Sequence, residues 1–302
     1  MSGTVFENPF RAPGRWWKGN LHTHTTVSDG VLPPAEAAGR YRALGYDFLA
    51  ITDHGILVEP FEAPEGLLVV RGIEHALICD EPPRVWHVVS LEPTREAAPE
   101  GRSLGRFIAD IRDSSSFWFL SHPYWSSLSE EDLLTIDGLT AVEVFNTICE
   151  RIVGRGHSEQ AWDYALACGR RLNALAVDDA HAECDYGRGW IMLRAETLDL
   201  ETLLDALRRG LYYASCGPEI TDLTIEGGVV SVHCSPCRSI TFMAASPRGR
   251  RVAAPEGELL ESAQYEIKGT ETYVRVQVED AEGRRAYANP VYLEDDVEGN
   301  TP

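Results

Sequence analysis

From about residue 15 to residue 210, short apolar runs alternate with stretches of helical periodicity. The runs at 49–52, 67–73, 85–91, 117–121, 141–145, 172–177 and 190–193 are four to seven residues long, which predicts buried strands. Segments 33–44, 103–111, 128–134, 157–168 and 199–209 repeat their apolar residues three and four apart and predict helices. Such alternation implies an α/β domain around a parallel sheet, open or closed into a barrel. After residue 210 the helical period stops, and six segments alternate at period two between Gly, Pro and Asn residues, which predicts a small all-β module. The expected division is 1–212 for the α/β domain and 213–302 for the C-terminal β module.

Composition adds exclusions. The chain has 302 residues, 44% of them apolar, enough for a large core. No apolar run approaches the roughly 18–20 residues of a membrane span. The first twenty residues lack the apolar stretch of a secretory signal, so a cytoplasmic protein without a membrane partner is expected. Against 47 Asp and Glu stand 27 Lys and Arg, a formal charge of −20, which argues against a broad footprint on long duplex DNA. Seven scattered cysteines suit reduced thiols. Cys234 and Cys237 have metal-ligand spacing beside His233, but a structural zinc site needs a second pair, and the surrounding alternation reads as a strand with buried thiols.

The histidines carry the candidate chemistry. His22 and His24 are two apart, so on an extended segment both rings face one side. Asp29 follows in a turn before the first helix. His54 and His122 follow the ends of their strands, Glu74 is expected at the end of its own, and His87 lies early in its strand. Asp179 and His181 repeat the two-residue spacing after another strand. Residues at the carboxyl ends of strands in α/β folds converge on one mouth, so this repetition predicts a metal cluster. Strand alternation turns His75 and Asp178 away from Glu74 and Asp179. Asp53 either orients His54 or closes its turn, and His157 begins a helix.

The segments WKGNLHTHTTVSDG, GYDFLAITDHG, GIEHA, SHP, AVEVFN and AVDDAH, in that order, resemble the PHP (polymerase and histidinol phosphatase) superfamily. NPF with GRWWKGNLHTHT, GLYYASCGPEI and GRRAYANPVYL extend the resemblance over nearly the whole chain to the CehA/McbA group of PHP metallohydrolases. The resemblance implies a distorted (β/α)7 barrel followed by a β module, with two or three divalent ions, Zn, Mn or Fe, at the mouth. It assigns His22, His24, Glu74 and Asp179 to a first ion, Glu74, His87 and His122 to a second, and Asp29, His54 and His181 to a third.

The implied activity is metal-dependent phosphoester hydrolysis of a small phosphate ester, nucleotide or short oligonucleotide, exonuclease-like in one form. A metal-activated hydroxide would attack, with Asp179 or His181 moving the proton. The alternative, from the CehA/McbA resemblance, is hydrolysis of a carboxyl or carbamate ester, with an apolar pocket in place of an arginine clamp. Arg151, Arg155 and Arg188 follow strand ends, where loops should overhang the mouth, and are the candidate phosphate-binding residues. No phosphate-binding GxxxxGK[ST] loop, GxGxxG fingerprint or nucleophile elbow is present.

Overall fold

The computed structural model describes residues 7–79, 84–95, 103–245 and 247–293. Strand β1 (Arg15–Asn20) is followed by α1 (Pro34–Ala43), β2 (Phe48–Ile51), β3 (Leu68–Cys79), β4 (Arg84–Leu91), α2 (Leu104–Ser114) and β5 (Phe117–Leu120). Next come α3 (Asp132–Thr135), β6 (Ala141–Asn146), α4 (Thr147–Val153), α5 (Glu159–Ala167), β7 (Asn173–Val177), β8 (Trp190–Ala195) and α6 (Leu200–Arg209). The remaining elements are strands: β9 (Tyr212–Ser215), β10 (Ile220–Glu226), β11 (Val229–Cys237), β12 (Ser239–Met243), β13 (Gly249–Ala253), β14 (Leu260–Glu266), β15 (Tyr273–Glu279), β16 (Arg285–Ala288) and β17 (Val291–Tyr292).

The apolar runs become strands almost where the pattern places them, because runs this short are buried on both faces: β2, β5 and β6 carry no exposed residue. Helix ends follow local chemistry. Asp199 caps α6 by accepting from Thr202 N at 2.9 Å, and Gly210 closes it at φ 71°. The apolar face of α6 buries Leu203, Leu204 and Leu207 against β8 and β5.

The sheet is mixed rather than parallel. β1, β2 and β3 pair in parallel, as do β5, β6 and β7, but β4 runs antiparallel between β3 and β5. The cause is the connection: four residues separate β3 from β4, too few for the crossover that parallel strands require. Beyond its strand end, β7 returns to β1 through a parallel bridge between Ala180 and Thr23, with Asp179 N donating to His22 O (3.0 Å) and His24 N to Ala180 O (3.1 Å). The other half of β1 pairs with β8, from which the same sheet continues through β9, β16, β15, β12 and β13. A smaller sheet of β10, β11 and β14 completes the C-terminal part. Cys234 and Cys237 are buried in its core with their Sγ atoms 3.6 Å apart, while the His233 side chain is exposed.

Two ionic contacts join α5 to the C-terminal strands. Arg275 on β15, with no exposed surface, grips Asp163 through Nε (2.5 Å) and Nη2 (2.7 Å) and lies over the Trp162 ring. Glu159 accepts from Tyr287 (2.6 Å) and Arg285 (2.8 Å) on β16 and contacts His157 Nδ1 at 3.1 Å. Burial opposes ionisation of Glu159, but His157, Tyr287 and Arg285 outweigh it and hold the carboxyl at about 2. A carboxyl depressed in the folded state contributes stability that is present above its ordinary value and lost as pH falls through the depressed one. The difference in unfolding free energy between the native protein and Glu159→Gln is therefore expected to shrink by about 3 kcal/mol between pH 7 and pH 2. Urea unfolding across that range measures it, and a difference flat with pH would refute the ionic account.

Candidate metal centre

All nine predicted ligands meet in one place, and the antiparallel β4 explains how. β2 ends level with Arg71, so β3 passes the mouth and continues to Cys79. Glu74 consequently lies within β3, not at its end as the apolar run suggested. Because β4 returns in the opposite direction, its beginning lies at the mouth, and His87 pairs with Ala76 on the same face as Glu74. Backbone bonds continue around the rim: Thr52 N donates to Thr23 O (2.9 Å), and Glu74 N to Thr52 O (3.1 Å).

Three groups of side chains have ligand atoms within 4.8 Å of one another: His22, His24 and Glu74; Glu74, His87 and His122; and His24, Asp29, His54 and His181. Asp179 joins the first, with Oδ1 3.3 Å from His22 Nε2 and 3.0 Å from His24 Nε2. His22 Nε2 and His24 Nε2 face each other at 3.1 Å, and Glu74 offers Oε1 and Oε2 to them at 3.4 and 3.3 Å. These spacings match the edge of about 3.3 Å in a tetrahedron with metal–ligand bonds near 2.0–2.1 Å. Asp179 Oδ1 is buried without a hydrogen-bond donor. The donor set therefore fits a divalent cation, and Glu74 links the first two groups by touching His87 Nδ1 (2.9 Å) and His122 Nε2 (3.1 Å) through Oε1.

Within the cluster the charges support each other. Burial disfavours ionised Asp179 and Glu74, yet neighbouring histidines outweigh it and hold both carboxyls well below the usual range. Burial likewise opposes protonation of His24, but Asp179 and Glu74 raise it to about 9. A bound cation must displace such protons. Burial and the carboxylates Asp179, Glu143 and Glu74 push the thiol of the cavity-lining Cys149 up, which disfavours its thiolate.

The surrounding contacts orient the ligands. Asp53 accepts from Thr25 N (2.8 Å), Thr25 Oγ1 (2.7 Å) and Ser28 N (3.0 Å), closing the turn that carries Asp29. A Cβ on Gly30 would stand 2.5 Å from His24 O, so only glycine lets that turn fold back. Asp179 and His122 adopt left-handed backbone, at φ 52° and 25°, a conformation that costs energy unless the surroundings impose it. His75 faces away and contacts Ser90 Oγ at 2.8 Å; burial lowers it to about 4. Asp178 also faces away, accepting from Gly187 N, Arg188 N and Gly189 N.

Sequence reasoning missed Glu143 and Asn146. Glu143 on β6 has no exposed surface; it takes His22 Nδ1 at 2.6 Å, leaving Nε2 for an ion, and accepts from His122 N at 2.8 Å. Asn146 caps α4 through its oxygen while its Nδ2 donates to Glu143 (2.9 Å) and Asp179 (3.0 Å). The available signal was a glutamate inside the otherwise apolar AVEVF run. Contacts of this kind typically set metal affinity by 10–100-fold. Glu143→Gln is expected to weaken binding by about that factor, read by competition with a chromophoric chelator; unchanged affinity would refute it.

Above the cluster is a cavity of about 280 Å³, walled by Trp125, Ile148, Cys149 and Ile152 beside the ligands. The three candidate arginines do not line it. Arg151 Nε donates to Asp185 (2.6 Å), Arg188 Nε to Cys184 O (2.6 Å) and Arg155 Nη1 to Ser127 Oγ (3.3 Å). Arg151 and Arg188 line a second cavity of about 410 Å³, to which α4 also contributes Thr147 and Glu150. His157 borders it too, occupied with Glu159.

No protein-family model matches the sequence, and no curated protein matches it. The fold is similar to the crystal structure of a two-domain protein from Bacteroides vulgatus containing a predicted PHP-like metal-dependent phosphoesterase. The two share 15% identity at a TM-score of 0.52, over 89% of this chain and 92% of that one. PsfC from Pseudomonas syringae has 16% identity, covers 64% of this chain and 88% of its own, and gives a TM-score of 0.45. The lesion-specific endonuclease PfuEndoQ from Pyrococcus furiosus has 13% identity, 64% and 56% coverage, and a TM-score of 0.44. Fold and site together define a mixed α/β chain, similar in fold to a structure containing a predicted PHP-like domain, with histidines and carboxylates in groups able to hold a metal ion. Among the described residues, no helix is long and apolar enough to cross a membrane.

Proposed function

We propose that the chain is a metal-dependent phosphoesterase of the PHP superfamily, CehA/McbA-like group, acting on a small phosphate ester, nucleotide or short oligonucleotide. The observation that carries this reading is the convergence of six histidines and three carboxylates, from six strands, into three ligand groups beside one cavity. His22, His24, Glu74 and Asp179 would hold one ion, Glu74, His87 and His122 a second, and Asp29, His54 and His181 a third. Bound there, two or three Zn, Mn or Fe ions supply Lewis-acid polarisation of the ester and a water acidic enough to attack at neutral pH. Asp179 and His181 are the proton-moving groups of this reading: His181 Nε2 serves where no third ion holds it, and Asp179 serves through the carboxylate oxygen that is not a ligand. His181 Nδ1 donates to Asp179 O at 2.8 Å, which leaves Nε2 as the basic nitrogen. Trp125, Ile148 and Ile152 give the cavity beside the ligands an apolar wall. In this reading residues 1–212 form the catalytic domain of a cytoplasmic enzyme and 213–302 a structural module. Arg151, Arg155 and Arg188 would meet only parts of a substrate outside the ligand cavity.

One observation favours a second reading: the cavity wall is apolar and carries no arginine, which suits a carboxyl or carbamate ester. Assays of metal-loaded protein on nitrophenyl phosphate mono- and diesters, a nucleoside bisphosphate, a short oligonucleotide and an aryl carbamate separate the two. Turnover of phosphates alone supports the first reading, turnover of the carbamate alone the second, and equal rates from Asp179→Asn would overturn both.

A further inference from the structure

The three ligand groups differ in shielding. In the first, His22, His24, Glu74 and Asp179 are 0–5% exposed, whereas Asp29, His54 and His181 are 55%, 35% and 21% exposed. Contacts as well as burial must therefore fix the outer group: His54 Nδ1 lies 2.9 Å from the buried Glu74 Oε2, and His181 is tied at its ring, its carbonyl and its amide. The His181 ring is tied through Nδ1 to Asp179 O, and its carbonyl accepts from Val31 N at 2.9 Å, next to the turn that carries Asp29. The His181 amide is held by Asp185, which no motif had singled out.

Asp185 has no exposed surface. Its Oδ2 accepts from His181 N (3.1 Å) and Ala182 N (2.7 Å), and its Oδ1 from Arg151 Nε (2.6 Å). A buried carboxylate with two backbone donors and one cation is costly to leave half satisfied. Arg151 is on α4, whose other residues Ile148, Cys149 and Ile152 wall the ligand cavity. The chain of contacts runs from the cavity wall through Arg151 and Asp185 to the backbone of a ligand. By contrast, the first group is oriented by Glu143 and Asn146, neither of which has a hydrogen bond to Asp185.

We infer that Asp185, held by Arg151, is a positioning residue that sets the affinity of the outer metal site formed by Asp29, His54 and His181. This rests on the metal-cluster reading above, and it makes Arg151 a partner of Asp185 instead of a phosphate clamp. Asp185→Asn keeps the shape but removes the charge that holds two amides and a guanidinium together. Arg151→Met removes the cation from a position 40% exposed, where folding should survive if Asp185→Asn fails.

The test is a titration of the full chain with Mn²⁺ or Zn²⁺ alone, reading ions bound per chain and the affinity of each step, beside the Tm of the chelated protein. Both variants are expected to keep two ions at native affinity and to bind the third 10–100-fold more weakly, with Arg151→Lys recovering part of the loss. An unchanged third affinity overturns the inference. So does an equal weakening of all three steps with a lowered Tm, which is the mark of a merely structural contact. Native protein that saturates at two ions also overturns it, while native protein that binds none overturns the cluster reading itself.

Discussion

If the chain hydrolyses esters as proposed, Asp179→Asn is expected to empty the innermost candidate metal position and to cut turnover by about 10²–10³-fold, while the fold survives. The carboxylate closes the first ligand group, with Oδ1 at 3.3 and 3.0 Å from the two facing Nε2 atoms of His22 and His24. An amide of the same shape keeps the packing and the contact to Asn146 but offers no negative charge to a cation. His22→Ala should act alike, since it removes a nitrogen that Glu143 presents to the site. Metal content after dialysis, circular dichroism and turnover form the measurement. Chelation of the native protein should reproduce the loss, and added Mn²⁺ or Zn²⁺ should reverse it. Full activity in Asp179→Asn would sink the cluster model.

Asp163→Ala is expected to be strongly destabilising, by roughly 3–5 kcal/mol, because it leaves the fully buried Arg275 guanidinium without a counter-charge. The reverse change is milder, since Asp163 is 35% exposed and water can take over its charge. The double variant Asp163→Ala with Arg275→Met should therefore be more stable than Asp163→Ala alone. Chemical denaturation of the three proteins decides it. A single-variant cost below about 1 kcal/mol would show that the pair contributes little to joining α5 and β15.

The sequence disclosed the site better than the path of the chain. The convergence of the candidate ligands was legible because His, Asp and Glu interrupt or follow apolar runs, where no core role accounts for them. The direction of β4 was not, because periodicity carries no sign; it is decided by the four residues between β3 and β4. β13 was missed since Gly249–Ala253 has no buried residue and thus no alternation. α4 was missed for a different reason. Its sequence TICERIV is short and rich in β-branched residues, and the helix rests on the Asn146 cap and on Gly154 in left-handed conformation. The arginines illustrate the limit on substrate contacts: following a strand end places a residue near the mouth, but which cavity its side chain reaches depends on partners such as Asp185 and Cys184 O.

β9 is bonded to β8 on one side and to β16 on the other, so one sheet runs from the strands that carry the candidate ligands into the C-terminal part. A gene cut between β8 and β9 would produce two polypeptides, each with a raw edge that had been paired. Recombination that exchanges the second half for an unrelated cassette would meet the same obstacle, because the newcomer must supply a strand of matching register. The two halves are therefore expected to be inherited together, and the half with the candidate ligands expressed by itself should collect in the insoluble fraction.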